Sequence, residues 1–285
     1  MAETRGVKTL LQAKPTIEGA GVHLKRAFGF DELPLFDPFL MLDDFRSDNP
    51  DHYTLGFPTH PHRGIETITY VLAGEVDHTD SLGNRGTILA GDVQWMTAGS
   101  GIVHQEMPRG DAEGRLEGFQ LWANLPARDK MMHPRYRDIQ SIDIPEIVRQ
   151  NGVRIKVISG VVDNVHGPVQ DVVIEPEYLD VSMPAHANFR HATRPGDTVF
   201  AYVTGGQACF CQRHETQAGD GMVVLFSDGD QISVSTSGAA ASFLLISGKP
   251  LDEPVAWKGP IVMCSQQELD LAFQEYRNGT FIKHE

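Results

Sequence analysis

The stretch HPHRGIETITYVLAGEVDH, residues 60–78, carries the strongest structural signal in this chain. After two histidines and a glycine, β-branched and aromatic residues run from Glu66 to Leu72 and stop at Ala73-Gly74. Such residues favour strands, and glycine marks the turns between them. The stretch therefore predicts a short strand closed by a turn, and its leading histidines lie where a strand can display them.

The same rhythm continues along most of the chain. Short runs of strand-forming residues end at turns that contain glycine, at 80–86, 90–92, 99–101, 196–197, 205–206, 219–221 and 228–230. This pattern is typical of β-sandwiches and barrels. Charges, methionines and prolines interrupt it from Pro126 to Val148, which we interpret as a connector. The chain is thus predicted to be all-β, with two halves of similar size that suggest a tandem duplication.

One helix is predicted near the C-terminus. Ser265 and Glu268 have the spacing of a capping box, and Gly279 is a suitable C-terminal stop. The apolar residues of one helical face are Leu269, Ala272, Phe273 and Tyr276. We expect this helix to cover a barrel wall.

Composition narrows the class of protein. The 285 residues can form one large or two ordinary domains, and 38 acidic residues against 24 basic ones give a net charge of -14. Such a charge disfavours direct binding to nucleic acid or an anionic membrane. Met1 to Lys14 lacks the apolar core of a secretory signal, and no apolar run is long enough to span a bilayer. We expect a cytoplasmic protein, and we take a monomer as the default oligomeric state.

The cysteines are few, and we interpret them as reduced thiols. A zinc site formed by Cys209, Cys211 and His214 is conceivable, but a fourth ligand is missing nearby.

Two pairs of polar residues point to a metal site. His60 and His62 are two residues apart, as are His104 and Glu106. In a strand this spacing puts both side chains on one face, so neighbouring strands could aim three imidazoles and one carboxylate at one point. This donor set suits iron, nickel, manganese, zinc or copper. A bound metal would also satisfy polar groups that are costly to bury inside a barrel.

Other acidic and histidine residues are less informative. Glu66 would share a face with His60 and His62 if their strand continued through Gly64. The remaining histidines, His78 among them, show no second pair of this kind, so we do not expect them to join the site. A His-x-His pair taken alone is more often exposed or hydrogen-bonded than a metal site, which makes the second pair essential to the prediction.

The order of these motifs resembles that of the pirin family, a bicupin group. The resemblance rests on residues 60–78, on GDVQWMTAGSGIVHQEMP at 91–108 and on FQLWANLP at 119–126. Further similar segments are DPFLMLDDF at 37–45, VISGV at 157–161, LISGKPLDEPV at 245–255 and the final helix. The resemblance covers nearly the whole chain, and its longest motif is highly specific.

The resemblance implies a fold and a metal site. It implies two tandem cupin β-barrels of jelly-roll type with a short C-terminal helix. Residues 1–135 would form the metal-binding barrel, and residues 136–285 a barrel without a metal, followed by the helix. The metal, most often Fe(II) in pirins, would be held by His60, His62, His104 and Glu106. Manganese, nickel, cobalt, copper or zinc remain alternatives. Glu66 matches the acid of the general cupin motif, which pirins do not normally use as a ligand.

The resemblance also implies two functions. Several pirins open flavonols such as quercetin with dioxygen, releasing carbon monoxide, and Glu106 would then take the proton of the substrate hydroxyl. Animal pirins are nuclear cofactors of transcription factors, so a metal- or redox-sensing regulator of a partner protein is the alternative. A sugar-phosphate isomerase is less favoured, because no cluster of lysines and arginines accompanies the ligands.

Overall fold

The structure is a computed structural model that describes residues 3–210 and 216–284. These residues are mostly β-strand, as predicted. The strands are β1 (Val7–Gln12), β2 (Lys14–Glu18), β3 (Val22–Phe28), β4 (Phe39–Asp44), β5 (Phe57–His62), β6 (Ile65–Ala73), β7 (Glu75–Asp80), β8 (Arg85–Ile88), β9 (Val93–Thr97), β10 (Ile102–Arg109), β11 (Glu117–Asn124), β12 (Arg135–Ile139), β13 (Glu146–Val148), β14 (Arg154–Ser159), β15 (Val161–Val162), β16 (Val165–His166), β17 (Glu177–Met183), β18 (Asn188–Ala192), β19 (Thr198–Cys209), β20 (Gln217–Gly219), β21 (Met222–Phe226), β22 (Gln231–Ser235), β23 (Ala241–Gly248), β24 (Ala256–Lys258) and β25 (Ile261–Met263). Short 3-10 helices span Phe30–Glu32, Pro50–His52, Ala127–Asp129 and Ser141–Asp143, and α1 spans Gln266–Arg277.

The chain divides into two compact units. The first unit comprises Pro15–Ser141 and the described residues from Leu251 onward, and the second comprises Ile142–Pro250 and the described residues up to Lys14. The predicted single division after residue 135 differs from this grouping in both terminal segments. Strand β1 pairs with β21 of the second unit, and the helix α1 packs on β24 and β25 in the first. A linear sequence pattern does not reveal such long-range pairing.

The first unit is built from two antiparallel sheets. One has the order β12-β9-β6-β11-β4-β3-β2, and the other has the order β5-β10-β7-β8. Val71 of the first sheet packs against Val76 and Ile88 of the second, so apolar side chains fill the space between them. The predicted connector is partly wrong: β12 lies within it and pairs with β9.

Strands β5 and β6 belong to different sheets, although only two residues separate them. Gly64 lies at the break with a φ of 78°, and a side chain there would collide with the carbonyl oxygen of Val262. Residues other than glycine rarely adopt this conformation. The continuous strand through Gly64 that would place Glu66 on one face with His60 and His62 is therefore not formed.

A buried lysine, Lys130, lies at the same break between β5 and β6. The Lys130 ammonium donates to the carbonyl oxygen of Gly64 at 2.9 Å, to Asn124 Oδ1 at 2.6 Å and to the carbonyl oxygen of Val262 at 3.1 Å. It thus joins the turn after β5, the end of β11 and strand β25.

The second unit has one large antiparallel sheet with the order β1-β21-β19-β23-β17-β14-β13, which β18, β20 and β22 extend. Its buried core is apolar and includes Phe189, Phe210 and Phe243. The zinc site proposed for Cys209, Cys211 and His214 stays a prediction, because Cys211 and His214 lie outside the described residues.

The predicted helix forms where expected. Ser265 and Glu268 make a reciprocal capping box, and Leu269 and Ala272 are its buried residues. Within the described parts of the chain, none of the helices has the length and apolar character needed to cross a membrane.

Candidate metal centre

Two neighbouring strands bring the predicted ligands together. Strand β10 pairs with β5, with His104 opposite His60 and Ile102 opposite His62. Along β10 the residues alternate between more and less buried positions, so His104 and Glu106 both face the interior. The pairing of β5 and β10 thus brings the three predicted histidines together.

The three histidines converge through the same ring atom. His60 Nε2 lies 3.0 Å from His62 Nε2 and 2.9 Å from His104 Nε2. His62 and His104 are buried, whereas His60 is half-buried. Among the described residues, these three form a group that could hold a metal ion.

Hydrogen bonds fix which nitrogen faces the centre. The carbonyl oxygen of Pro58 lies 2.8 Å from His60 Nδ1, and that of Pro260 lies 3.1 Å from His62 Nδ1. Because a carbonyl only accepts, both Nδ1 atoms carry a proton and both Nε2 atoms of the neutral rings present lone pairs. Burial, followed by the charge of neighbouring histidines, holds the pKa of His62 and of His104 well below the usual range, which favours neutral rings.

This geometry fits a divalent transition metal. Lone pairs facing one another at 2.9–3.0 Å repel unless a cation lies among them. Two nitrogens that bind one ion at about 2.1 Å, roughly 90° apart, lie about 3.0 Å from each other. The spacings of His60 Nε2 from His62 Nε2 and from His104 Nε2 therefore each match two adjacent positions of an octahedral ion.

Glu106 lies beside the histidines without joining their group. Both of its carboxylate oxygens accept from Gln120 Nε2 at 3.1 Å, and Oε1 also accepts from the Thr69 hydroxyl at 3.3 Å. The strand pairing shifts between His104 and Glu106, which displaces Glu106 relative to β5. Glu106 is 3% exposed, and these donors are uncharged. Its role as a fourth ligand stays a prediction.

Glu66 lies in another environment. It belongs to β6 in the other sheet, is fully buried, and Oε1 accepts from the Thr97 hydroxyl at 2.6 Å. Burial raises the pKa of Glu66. The hydrogen bond from Thr97 lowers it, but by less. The structure does not bring Glu66 into the histidine group.

Two of the histidines, His60 and His62, line a large cavity within the first unit. The cavity has a volume of about 640 Å³, and its wall contains Glu106 and the aromatic side chains of Phe30, Trp122 and Trp257. Trp122 contacts the edge of His62, with ring centroids 5.1 Å apart. The cavity wall also contains Arg26 and Asp43, which form a two-point ion pair with both bonds 2.8 Å long. The cavity can therefore accept an aromatic molecule beside the histidines.

One histidine that we did not expect at the site, His78, lies next to His104. His78 of β7 is buried, and its ring centroid is 5.3 Å from that of His104. Its Nε2 lies 3.3 Å from Asp80 Oδ2. The His78-x-Asp80 spacing repeats that of the two predicted pairs, and this signal was available in the sequence.

Comparisons with known proteins agree with the fold described above. A family model described as Pirin matches residues 21–123, and one described as Pirin C-terminal cupin domain matches residues 178–282. The chain is 42% identical over 283 residues to a Pseudomonas aeruginosa protein named "Putative quercetin 2,3-dioxygenase", covering 98% of this chain and 99% of that protein. It is 43% identical over 279 residues to a "Pirin-like protein" of Caulobacter vibrioides, covering 97% and 99%.

A solved structure has the same fold over nearly the whole chain. The crystal structure of quercetin 2,3-dioxygenase from Acinetobacter baumannii superimposes with a TM-score of 0.89 at 30% identity, covering 98% of this chain and 99% of that one. The agreement extends over both units, each of which can therefore be described as a cupin domain.

Proposed function

Since the chain belongs to the pirin family, we propose that it is a metal-dependent dioxygenase that opens flavonol-like substrates with dioxygen. The observation that carries the proposal is the convergence of three Nε2 atoms, two of which belong to residues that line an aromatic cavity, His60 and His62. Names of two similar proteins, from P. aeruginosa and A. baumannii, include quercetin 2,3-dioxygenase and support the same reaction class.

We assign His60, His62, His104 and Glu106 as the metal-binding residues. A buried carboxylate whose donors are uncharged is costly, and a nearby cation would offset that cost. Fe(II) is our first choice, and the imidazole-rich donor set also suits manganese, nickel, cobalt, copper or zinc. A divalent ion would supply a Lewis acid that lowers the pKa of a bound hydroxyl group.

The aromatic wall would position the substrate. Trp257 lies between Phe30 and Trp122, with ring centroids 5.7 Å and 5.9 Å away. Aromatic rings pack well against flat aromatic molecules and exclude water from them. A flavonol is flat and apolar with hydroxyl groups at its edges, so its faces would contact these rings while a hydroxyl group points to the histidines.

Glu106 is our candidate for the general base. Gln120 donates to both carboxylate oxygens, while Gln120 Oε1 accepts from the indole of Trp122 at 3.0 Å. This chain of hydrogen bonds fixes the amide so that its N–H groups point at Glu106. Glu106 is thereby held at the cavity wall, where it can take the proton of a flavonol hydroxyl group.

In the proposed reaction, both atoms of dioxygen would enter the products, one of which is carbon monoxide.

The direct test is oxygen consumption with quercetin. Protein reconstituted separately with iron, manganese, nickel, cobalt and copper should consume one dioxygen per quercetin and release one carbon monoxide with at least one metal. The same metals without protein serve as controls. Protein that binds a metal tightly but consumes no more oxygen than the controls would contradict the dioxygenase and favour the regulatory alternative.

A further inference from the structure

A second polar pair lies on the strand next to β10. Strand β7 pairs with β10 so that His78 is opposite Glu106 and Asp80 is opposite His104. The side chains of His78 and Asp80 are both 0% exposed. Three neighbouring strands, β5, β10 and β7, therefore contribute polar pairs to one region of the interior. The third pair has no role in the function proposed above.

The Asp80 carboxylate is held as an acceptor. Oδ1 accepts from the backbone N–H groups of Leu82 and Asn84 at 2.9 Å and 3.0 Å, and Oδ2 accepts from Asn84 Nδ2 at 2.8 Å. Burial would raise the pKa of Asp80, but hydrogen bonds from His78, Asn84 and Leu82 outweigh it, and the pKa is lowered. A fixed carboxylate 3.3 Å from His78 Nε2 selects the tautomer protonated there. The other nitrogen of His78, Nδ1, is then an acceptor.

His104 requires a hydrogen-bond acceptor for its Nδ1–H group. Its Nε2 faces the other histidines, so the neutral ring carries its proton on Nδ1. Among the described residues, neither His104 Nδ1 nor His78 Nδ1 has a hydrogen-bond partner, although both are buried. Buried polar atoms are seldom left unpaired. A donor and an acceptor on rings whose centroids are 5.3 Å apart are within reach of one hydrogen bond, direct or through one water molecule.

We propose that His78 is a positioning residue for His104, accepting the Nδ1–H of His104 while it donates to Asp80. This inference rests on the metal site proposed above. Histidine ligands of metals usually donate their second N–H to a carboxylate or a carbonyl, which fixes the ring and raises its basicity. His60 and His62 use the carbonyls of Pro58 and Pro260. His104 uses a histidine backed by a carboxylate.

The surroundings of His78 suit this role. Its ring packs on Tyr136 on another side, with centroids 4.8 Å apart. The Tyr136 hydroxyl accepts from Gln94 at 3.0 Å, which holds the tyrosine ring in place. His78 is thus confined between two rings.

Two substitutions test the proposal with different chemistry. His78→Phe keeps a ring against Tyr136 and removes the accepting nitrogen. Asp80→Asn puts an amide beside Nε2 that can donate to it, so the His78 tautomer reverses and two N–H groups then face each other. The matched control is His191→Phe, because His191 of the second unit is also a buried histidine with a carboxylate partner, Glu177 Oε2 at 2.6 Å.

The first measurement is Ni(II) affinity, by competition with a chromogenic chelator. We expect His78→Phe and Asp80→Asn each to weaken Ni(II) binding about 10- to 100-fold, and His191→Phe to leave it unchanged. Affinities within twofold of the unsubstituted protein for both site variants would overturn the proposal. If that protein itself binds no Ni(II), the proposed metal site fails as well, so the two failures are distinguishable.

The second measurement reads the histidine tautomers directly. Two-bond ¹⁵N–¹H correlations of histidine-labelled, Zn(II)-loaded protein report the proton position on each ring. We expect His78 to be protonated on Nε2 and His104 on Nδ1, with the His78 pattern reversed in Asp80→Asn. A proton on Nδ1 of His78 in the unsubstituted protein would also overturn the proposal, because a simple packing role makes no demand on the tautomer.

Discussion

The candidate site depends, at the scale of single residues, on which nitrogen each histidine presents. The carbonyls of Pro58 and Pro260 hold protons on the outer nitrogens of His60 and His62, so the inner nitrogens are free to bind a cation. Pro260 is nearly 200 residues away from His62 in the chain. A short sequence motif therefore supplies the candidate ligands. The orientation of the His62 ring depends in addition on a backbone carbonyl far away in the chain.

Replacing His62 should empty the metal site. His62→Ala removes one of three converging nitrogens, and we expect Ni(II) affinity to fall by more than about 100-fold, beyond the usual effect of losing an outer partner. Competition titration measures the change. His166→Ala, an exposed histidine of the second unit, is the control. Native affinity in His62→Ala would refute the ligand assignment.

Replacing Glu106 should separate binding from turnover. Glu106→Gln keeps the shape and an oxygen near the site but cannot accept a proton as a carboxylate does. We expect turnover of quercetin to drop about 10²- to 10⁴-fold, a larger factor than the loss of Ni(II) affinity, because the amide oxygen stays near the site. Steady-state oxygen uptake and the metal titration are measured on the same preparation. Turnover at the native rate would show that Glu106 is not the base.

At the scale of elements, strand order and breaks determine which side chains meet. The i, i+2 pairs on β5 and β10 could be predicted, because side chains alternate along any strand. Glu66 could not be placed this way, since the turn at Gly64 moves β6 into the other sheet. The His78-x-Asp80 spacing was visible in the sequence, but only the pairing of β7 with β10 places His78 beside His104.

Lys130 should stabilise the corner at which three elements meet. Lys130→Met leaves the carbonyl oxygens of Gly64 and Val262 and Asn124 Oδ1 without their buried donor. We expect the free energy of unfolding to fall by about 2–4 kcal/mol, measured by urea denaturation near neutral pH. Lys8→Met, at an exposed position on β1, is the control. A loss no greater than that of the control would contradict this role.

The effect of Lys130 should also depend on pH. Burial lowers the pKa of Lys130 from 10.5 to about 8. The negative charges of Cys264, Glu253 and Glu268 act in the other direction and raise it, but by less. Between these values the unfolded chain keeps a proton that the folded protein has released, so the free energy of unfolding rises with pH. We expect the difference between the unsubstituted protein and Lys130→Met to grow by about 2 kcal/mol from pH 7.5 to pH 10. A constant difference would indicate that the lysine keeps an ordinary pKa.

At the scale of the whole molecule, each unit incorporates a terminal segment from the opposite end of the chain. The residues after Pro250 supply the first unit with the buried side chains of Ile261, Val262, Leu269 and Phe281. They also supply Trp257 of the cavity wall and the carbonyl of Pro260 that orients His62. The metal centre is therefore incomplete without residues far from its ligand motifs.

Removing this segment should disable the first unit. In a chain that ends at Pro250, we expect the fluorescence of Trp95 and Trp122, both in the first unit, to shift to the red at temperatures where the full chain stays native. Ni(II) binding should be lost with it. The exposed helix residue Leu271 offers a control as Leu271→Ala. An unchanged unfolding midpoint and unchanged affinity in the shortened chain would contradict the dependence.

Amino-acid order was sufficient to predict the β-rich fold, the capped helix and the converging histidines, because alternation, turn residues and capping patterns act over a few neighbouring positions. The environment of Glu66, the place of His78 and the membership of both terminal segments were settled only by tertiary structure. These features arise from hydrogen bonds and packing between residues far apart in the chain, and no local pattern encodes which distant partner a strand will choose.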